Sequence, residues 1–512
     1  MKTCVLAPRH YQSSKKTINK PPFLVTPYRN TIISIGSLLF VLLLSMSWIG
    51  GHASSAQKDL PKSLISILTE QAIPPETLTV IVQEVDSDES IISLNPKILR
   101  SPASLTKLFT TFIALDYLGP DFQWNTNIYV SDSISDETVD YLLFKGEGDP
   151  YLTEENLRSI VKKLRHLGLE RIEMGLQVDQ QYFEANQSHP GDFDDDPLRP
   201  YNQLPSALTA NFNRVDFQLV PNVKTGSVDF YFDTLPSGVV IDNQLHLGKG
   251  QCSDFTDSVV FHETRTDQIM TIIAEGVFPS SCLKIEHEIA LTNTNHYFYS
   301  LFSDLWKQSG GEFLGYIIDS EKIGESEVPL LVHTSPPLNE IIRHTNKQSN
   351  NFMSRQIFLS LGNYQSDQTA TLELSRLRIN AMLDKYDIDF QGQFIDNGSG
   401  LSRETVIRGE TLMQLLKEIY EHPLRAELIS SLPITGIDGT MKKRFRKFPI
   451  KQRAHLKTGT LDGVTGMAGY VKGLSGKDYI VVFIHNDFSE HSYRVKEFQK
   501  ALLTWIIQDY KW

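Results

Sequence analysis

The stretch SPASLTKLFTTFIALDYLG, residues 101–119, most restricts what this chain can become. Read as a helix, it spreads Leu105, Leu108, Phe109, Phe112, Ile113 and Leu115 over more than half of its circumference. A helix that apolar must be enclosed rather than laid on a surface. Ser101 is the expected N-cap, Pro102 the first helical residue, and Gly119-Pro120 the stop.

Elements able to enclose it lie at the far end of the sequence. AHLKTGTL, GMAGYVKG and DYIVVFIHND read as strands with short connections, which implies an antiparallel sheet. PLNEIIRHTNKQSNNFMSRQIFLSLG, ETLMQLLKEIYEH and the terminal SYRVKEFQKALLTWIIQDY read as helices. The expected core is therefore α+β, a helix–sheet–helix domain built from residues 57–124 and 336–512. Residues 125–335 read as inserted and mainly β, from RVDFQLVP, GSVDFYFDTLPSGVVID and QIMTIIAEGVF, with a nested subdomain near 150–220. Their aromatics read as core.

The first 58 residues contain no acid, and six bases precede the apolar run TIISIGSLLFVLLLSMSWIG. Small residues follow in GHASSA. Residues 1–56 thus read as a signal peptide or, since Thr31–Ile49 is long enough to span a bilayer, an uncleaved membrane anchor. Either exports the remainder. Of 49 bases in the chain, 43 remain beyond the leader against 61 acids, a net charge of −18. That excludes nucleic acid as an expected partner. Beyond the leader only Cys252 and Cys282 remain, and in an exported chain they are expected to form one disulfide. No Cys/His spacing resembles a zinc site. The triple Asp194–Asp196 lacks the spacing of a calcium loop and reads as solvated. The run KKRFRKFPIKQR, residues 442–453, holds seven bases and no acid; it reads as a solvated face or as an attractor of substrate carboxylates.

The enclosed helix carries one basic residue. Lys107 stands three residues after Ser104, on the same face. Its neighbours at three and four residues are Ala103, Ser104, Thr110 and Thr111, none acidic. A buried lysine without a carboxylate should lose its proton readily, and a neutral amine beside a hydroxyl is a base beside a nucleophile. The spacing recurs at Ser13/Lys16 and Ser281/Lys284, so it is weak alone. Two further motifs sharpen it: Ser349-Asn350-Asn351, and Lys457-Thr458-Gly459 on an expected edge strand, followed by Thr460. Ser93-Leu94-Asn95 and Lys224-Thr225-Gly226 match as well, but out of order or inside the insert. Ser-x-x-Lys, Ser-x-Asn and Lys-Thr-Gly together form the set found in penicillin-binding proteins and class A β-lactamases.

On these motifs, and on GEGDPYLTEENLRSIVKKL, LQVDQQYF, IDNGSGLSRET, ITGIDGTMKKRF and KTGTLDGVTGMAGYVKG, the chain resembles the penicillin-binding D-alanyl-D-alanine carboxypeptidase/endopeptidase family. These are the low-molecular-mass class C enzymes, peptidase family S13. The separation of 245 residues from Ser104 to Ser349 suits the large insert of that family. HPGDF departs from it, since an aromatic often follows Pro-Gly there.

The resemblance implies a serine β-lactamase/DD-peptidase-like fold and a periplasmic enzyme. Its substrates would be peptidoglycan stem peptides, and β-lactam antibiotics would bind covalently. Ser104 would be the nucleophile and Lys107 its base, with Ser349 and Lys457 passing the proton to the leaving D-alanine. Asn351, Thr458, Gly459 and Thr460 would bind substrate, and the amides of Ser104 and Thr460 would form the oxyanion hole. No metal and no organic cofactor is implied. Two competitors stand beside this reading. A β-lactamase would need a deacylation base on a loop after Ser-x-Asn; Glu373 follows, but in a helix-like stretch and without a companion Asn four residues on, where Leu377 stands. A non-catalytic wall-binding relative is the other.

Overall fold

The computed structural model describes residues 60–510, apart from 131–135, 186–187, 267–268, 320–327, 367 and 490–493. The leader reading of residues 1–56 lies outside them. Among the described residues no helix is long and apolar enough to cross a membrane.

Segments from opposite ends of the chain meet in one five-stranded antiparallel sheet. Its strands are β1 (Leu78–Glu84), β2 (Ser90–Leu94), β3 (Ala454–Leu461), β4 (Val464–Lys472) and β5 (Asp478–Asn486), in the order β3-β4-β5-β1-β2. Leu78 pairs with His485 and Glu84 with Tyr479, and β3 is an edge. The run DYIVVFIHND is apolar at successive positions because both faces of β5 are covered. Ile480, Val482 and Ile484 point into one core, and Val481 and Phe483 into the other, as the period of two requires.

The second of these cores is closed by α1 (Lys62–Glu70) and the terminal helix α7 (Val495–Ile507). The first holds α2 (Thr106–Leu118), flanked by α3 (Leu338–Gln348), α4 (Asn351–Asn363), α5 (Leu372–Lys385) and α6 (Gly409–Glu421). Leu105, Phe109, Phe112, Ile113 and Leu115 are all fully buried there. The α2 stop is as expected, with Gly119 at φ 91°. Its start is not. Ser101 provides no side-chain cap; the chain first forms a 3₁₀ turn at Ala103–Leu105, and α2 begins at Thr106. The backbone of Ser101 is held instead by Asn486, whose side chain accepts from its N–H at 2.8 Å and donates to its carbonyl at 3.1 Å.

Between these two halves lies a mainly β region with a core of its own, drawn from Ile128 to Phe313. It comprises a mixed six-stranded sheet, which begins with Asn125–Val130 and receives the returning strand Leu331–Thr334, and two three-stranded sheets. Phe144, Phe298, Phe302 and Trp306 are fully buried and pack ring against ring, so these aromatics are core. The sulfurs of Cys252 and Cys282 are bonded. Asp194 accepts from the Asn202 side-chain amide at 2.6 Å and from the Tyr201 hydroxyl at 2.8 Å, so the acidic stretch buttresses a turn.

Candidate active site

Ser104 sits in the 3₁₀ turn, immediately after Ala103, which is held in the left-handed region at φ 48°. A non-glycine residue there is strained, and what surrounds it keeps it in place. Gly400 (φ 80°) packs so closely that a β-carbon would lie 1.9 Å from the Ala103 carbonyl oxygen. From the other side, a β-carbon on Gly459 would come within 2.7 Å of the Pro102 carbonyl oxygen. Two glycines therefore let the loop after Phe394 and strand β3 close on the serine.

Lys107, one residue into α2, is fully buried. Its amine lies 3.0 Å from Ser104 Oγ, and donates to Asn351 Oδ1 at 2.7 Å and to the Ser399 carbonyl at 2.5 Å. None of these partners is a carboxylate. Burial, reinforced by the positive charges of Lys457 and Arg355, holds the amine well below the ordinary lysine range near 10.5. The arrangement sets an amine of lowered proton affinity beside the hydroxyl.

Ser349 and Asn350 form the joint between α3 and α4. Ser349 adopts φ 57°, ψ 37°, the left-handed conformation that ends α3, and Asn350 Oδ1 caps α4 by accepting from Met353 N at 2.9 Å. The middle residue of the motif is thus a helix cap, and Asn351 becomes the first residue of α4. Lys457, fully buried on β3, donates to Ser349 Oγ at 2.7 Å. Burial pushes its pKa down to about 7. Two serine–lysine pairs are thus brought together, near enough for the Lys457 charge to act on the Lys107 amine. Thr458 is buried and shares a 2.8 Å hydrogen bond with Thr440, whereas Thr460 is exposed at the outer end of β3.

The matching motifs elsewhere lie apart from this cluster. Ser281 donates to the Gly250 carbonyl and Lys284 pairs with Glu286. Lys224-Thr225-Gly226 is an exposed turn between two insert strands. Asn95 holds backbone carbonyls of Pro75 and Leu78. Glu373 is exposed on the first turn of α5. Of the basic run, Lys442, Lys443, Arg446, Lys447 and Lys451 are exposed, and Arg444 is drawn inward to Gln499. Among the described residues no His/Cys/Asp/Glu group is arranged to hold a metal.

Sequence reasoning assigned no role to several residues that complete the site. Ser399 supplies a carbonyl to Lys107, although IDNGSGLSRET entered only as a stretch that carries the family resemblance. Thr440 backs Thr458, and Lys347 steadies the turn before it through Asp438 at 2.7 Å. Tyr201, from the insert, accepts from Asn351 Nδ2 at 3.0 Å, and no local pattern announces it.

Known proteins resemble this chain along most of their length. The D-alanyl-D-alanine carboxypeptidase DacB of Haemophilus influenzae is 24% identical over 429 residues, covering 83% of this chain and 88% of its own. A D-alanyl-D-alanine carboxypeptidase of an Actinomadura species is 25% identical over 462 residues, covering 86% and 85%. The crystal structure of penicillin binding protein 4 (dacB) from H. influenzae matches the fold with a TM-score of 0.73 at 22% identity, over 88% of this chain and 99% of that one. The same protein complexed with a β-lactam gives 0.71. The family model of the D-Ala-D-Ala carboxypeptidase 3 (S13) family matches from residue 60 to residue 508, and the chain belongs to that family.

Proposed function

We propose that this protein is a serine D-alanyl-D-alanine peptidase acting on peptidoglycan stem peptides through an acyl-enzyme on Ser104. The observation that carries the reading is the Lys107 amine, enclosed without a carboxylate and 3.0 Å from the Ser104 hydroxyl. Ser104 Oγ attacks the carbonyl of the penultimate D-alanine as its proton passes to Lys107. When the peptide bond breaks, Ser349, hydrogen-bonded to Lys457, delivers a proton to the departing amine. Water then hydrolyses the ester and restores the serine. A β-lactam acylates the same oxygen.

Asn351 fits a substrate-binding role, because an amide nitrogen carries two hydrogens. One goes to Tyr201; the second is the one a substrate carbonyl would take. Thr458 and Thr460 line β3 for the terminal carboxylate and the peptide backbone. Gly459 lets β3 approach, and the amides of Ser104 and Thr460 supply the oxyanion donors. An extended peptide suits the edge position of β3. We read residues 57–124 and 336–512 as the catalytic domain and 125–335 as an insert, supported by the separate core of the latter. We read the protein as exported to the periplasm, on its acid-free leader and its cell-wall relatives.

The test is labelling by a fluorescent penicillin, with Ser104→Ala and Ser281→Ala beside the wild type. Labelling lost only in Ser104→Ala, with D-alanine released from a pentapeptide or a crosslinked muropeptide split into its two stems, is the expected result. Wild-type protein that neither labels nor releases D-alanine would leave a wall-binding relative without activity.

A further inference from the structure

One turn beyond Asn351 on α4 stands Arg355, a cation only 7% exposed. Its Nη1 donates to the Asn202 carbonyl at 3.1 Å and to the Gln203 carbonyl at 2.6 Å. Asp396, the acid whose field reaches it, is already paired with Arg376 at 2.7 Å. Residues four apart share a helix face, so Asn351 and Arg355 together grip three successive carbonyls of one insert turn, those of Tyr201, Asn202 and Gln203. The turn is braced from behind: Asn202 Nδ2 donates to Asp194 Oδ1 at 2.6 Å and to the Asp196 carbonyl at 2.8 Å.

The grip matters because an asparagine side chain can present either end. With Tyr201 O accepting from Nδ2, the oxygen end is the one that faces Lys107. A reversed amide would place a donor against the amine in place of the acceptor that Asn351 Oδ1 provides.

Resting on the acyl-enzyme reading above, we propose that Arg355 is a positioning residue for acylation. By holding the Tyr201–Gln203 turn of the insert it fixes the amide of Asn351, and through Asn351 it aims the Lys107 amine at Ser104. The insert is thereby a structural part of the base.

A second consequence is electrostatic. The polar groups facing the Lys107 amine are Ser104 on the preceding 3₁₀ turn, Asn351 on α4 and the Ser399 carbonyl on the loop after Phe394; the charges acting on it are Lys457 on β3 and Arg355 on α4. Burial is the larger cause of its lowered proton affinity, and the two cations add to it. Removing the Arg355 charge raises that affinity, so the acid limb of the acylation rate moves to higher pH.

The experiment measures penicillin acylation per titrated Ser104 across pH for wild type, Arg355→Lys, Arg355→Met and Asn202→Ala. Counting only sites that label removes unfolded molecules from the comparison. Arg355→Met is expected to acylate about 10–100-fold more slowly, the scale of a small misplacement of a reacting group, with its acid limb moved to higher pH. Arg355→Lys should recover part of both. Asn202→Ala, which loosens the turn and leaves the charge, should slow acylation several-fold without moving the limb. If Arg355→Met does not fold, the Asn202→Ala rate decides. Wild-type rates and limb in both Arg355→Met and Asn202→Ala would overturn the proposal and leave Arg355 a packing residue. A wild type that never labels would instead sink the acyl-enzyme reading itself.

Discussion

Gly459 lies against Ser104: a β-carbon added at Gly459 would stand 3.1 Å from the Ser104 nitrogen. The same atom would be 2.7 Å from the Pro102 carbonyl oxygen, closer than real β-carbons come. Backbone must therefore move if the glycine is replaced. Gly459→Ala is expected to lower penicillin acylation by about 10–100-fold through displacement of β3 from the nucleophile. Overpacking should cost about 1–3 kcal/mol of stability. Stopped-flow acylation and urea unfolding report the two effects separately; unchanged acylation would show that the close approach is not needed.

Lys107→Arg keeps a long cation but cannot release its proton near neutral pH. Acylation should fall by about 10²–10⁴-fold, the usual contribution of a positioned base, while the far-ultraviolet circular dichroism stays native. Labelling at the wild-type rate would remove Lys107 from the reaction.

Lys457 carries a signature in stability. In the folded protein its pKa is about 7, against 10.5 when free. Its protonation therefore opposes folding. That penalty is full below pH 7, fades as pH rises, and is absent above about 10.5. Lys457→Met removes it. The variant should gain most over the wild type at and below pH 7, and the gap should close as pH rises, by urea midpoints across the range. A gap independent of pH would contradict the assignment.

Asp438 tests the turn that carries Thr440. It accepts from Lys347 at 2.7 Å and from Ile434 N at 2.8 Å. Burial alone would raise its pKa, but these two donors outweigh it and hold the carboxyl below 3.8. Its contribution is present above that value and is lost as pH falls through the lowered one. Asp438→Ala should destabilise by about 1–3 kcal/mol, the scale of a buried donor left unpaired, and slow acylation roughly tenfold by loosening Thr440 behind Thr458. Thermal melts with acylation rates decide it.

The Cys252–Cys282 bridge closes a loop with a sequence separation of 30. By the chain-entropy model it contributes about 3–4 kcal/mol. Replacing both cysteines with serine should lower the denaturation midpoint and leave acylation per labelled Ser104 unchanged, because the bridge lies within the insert core. A loss of labelling rate would tie the far insert to the site.

Legibility in the sequence followed the range of the interaction. Lys107 could be paired with Ser104 because three residues on a helix set their distance, and the order Ser104, Ser349, Lys457 carried the rest of the cluster. The strand β5 was visible because filling both of its faces makes it a continuous apolar run. Ser101 was misread as a cap because its partner, Asn486, lies at the other end of the chain. The Ser399 carbonyl, the Tyr201 carbonyl and Arg355 act through backbone groups or through elements 150 residues apart, and no local pattern encodes such meetings. Motifs located the reacting side chains, and tertiary packing supplied what holds them.

The pairing of β1 with β5 has a bearing on biosynthesis. An emerging chain carries its nucleophile early, yet the neighbour that completes the central sheet is made last, and Asn486, which clasps Ser101, arrives with it. Until then β4 and β1 have no central strand to pair with, and the backbone of Ser101 is left unclasped beside the nucleophile. A chain stopped before residue 478 should take up no penicillin, so the drug would count finished molecules only. The wiring keeps a wall-cutting activity silent until synthesis is complete.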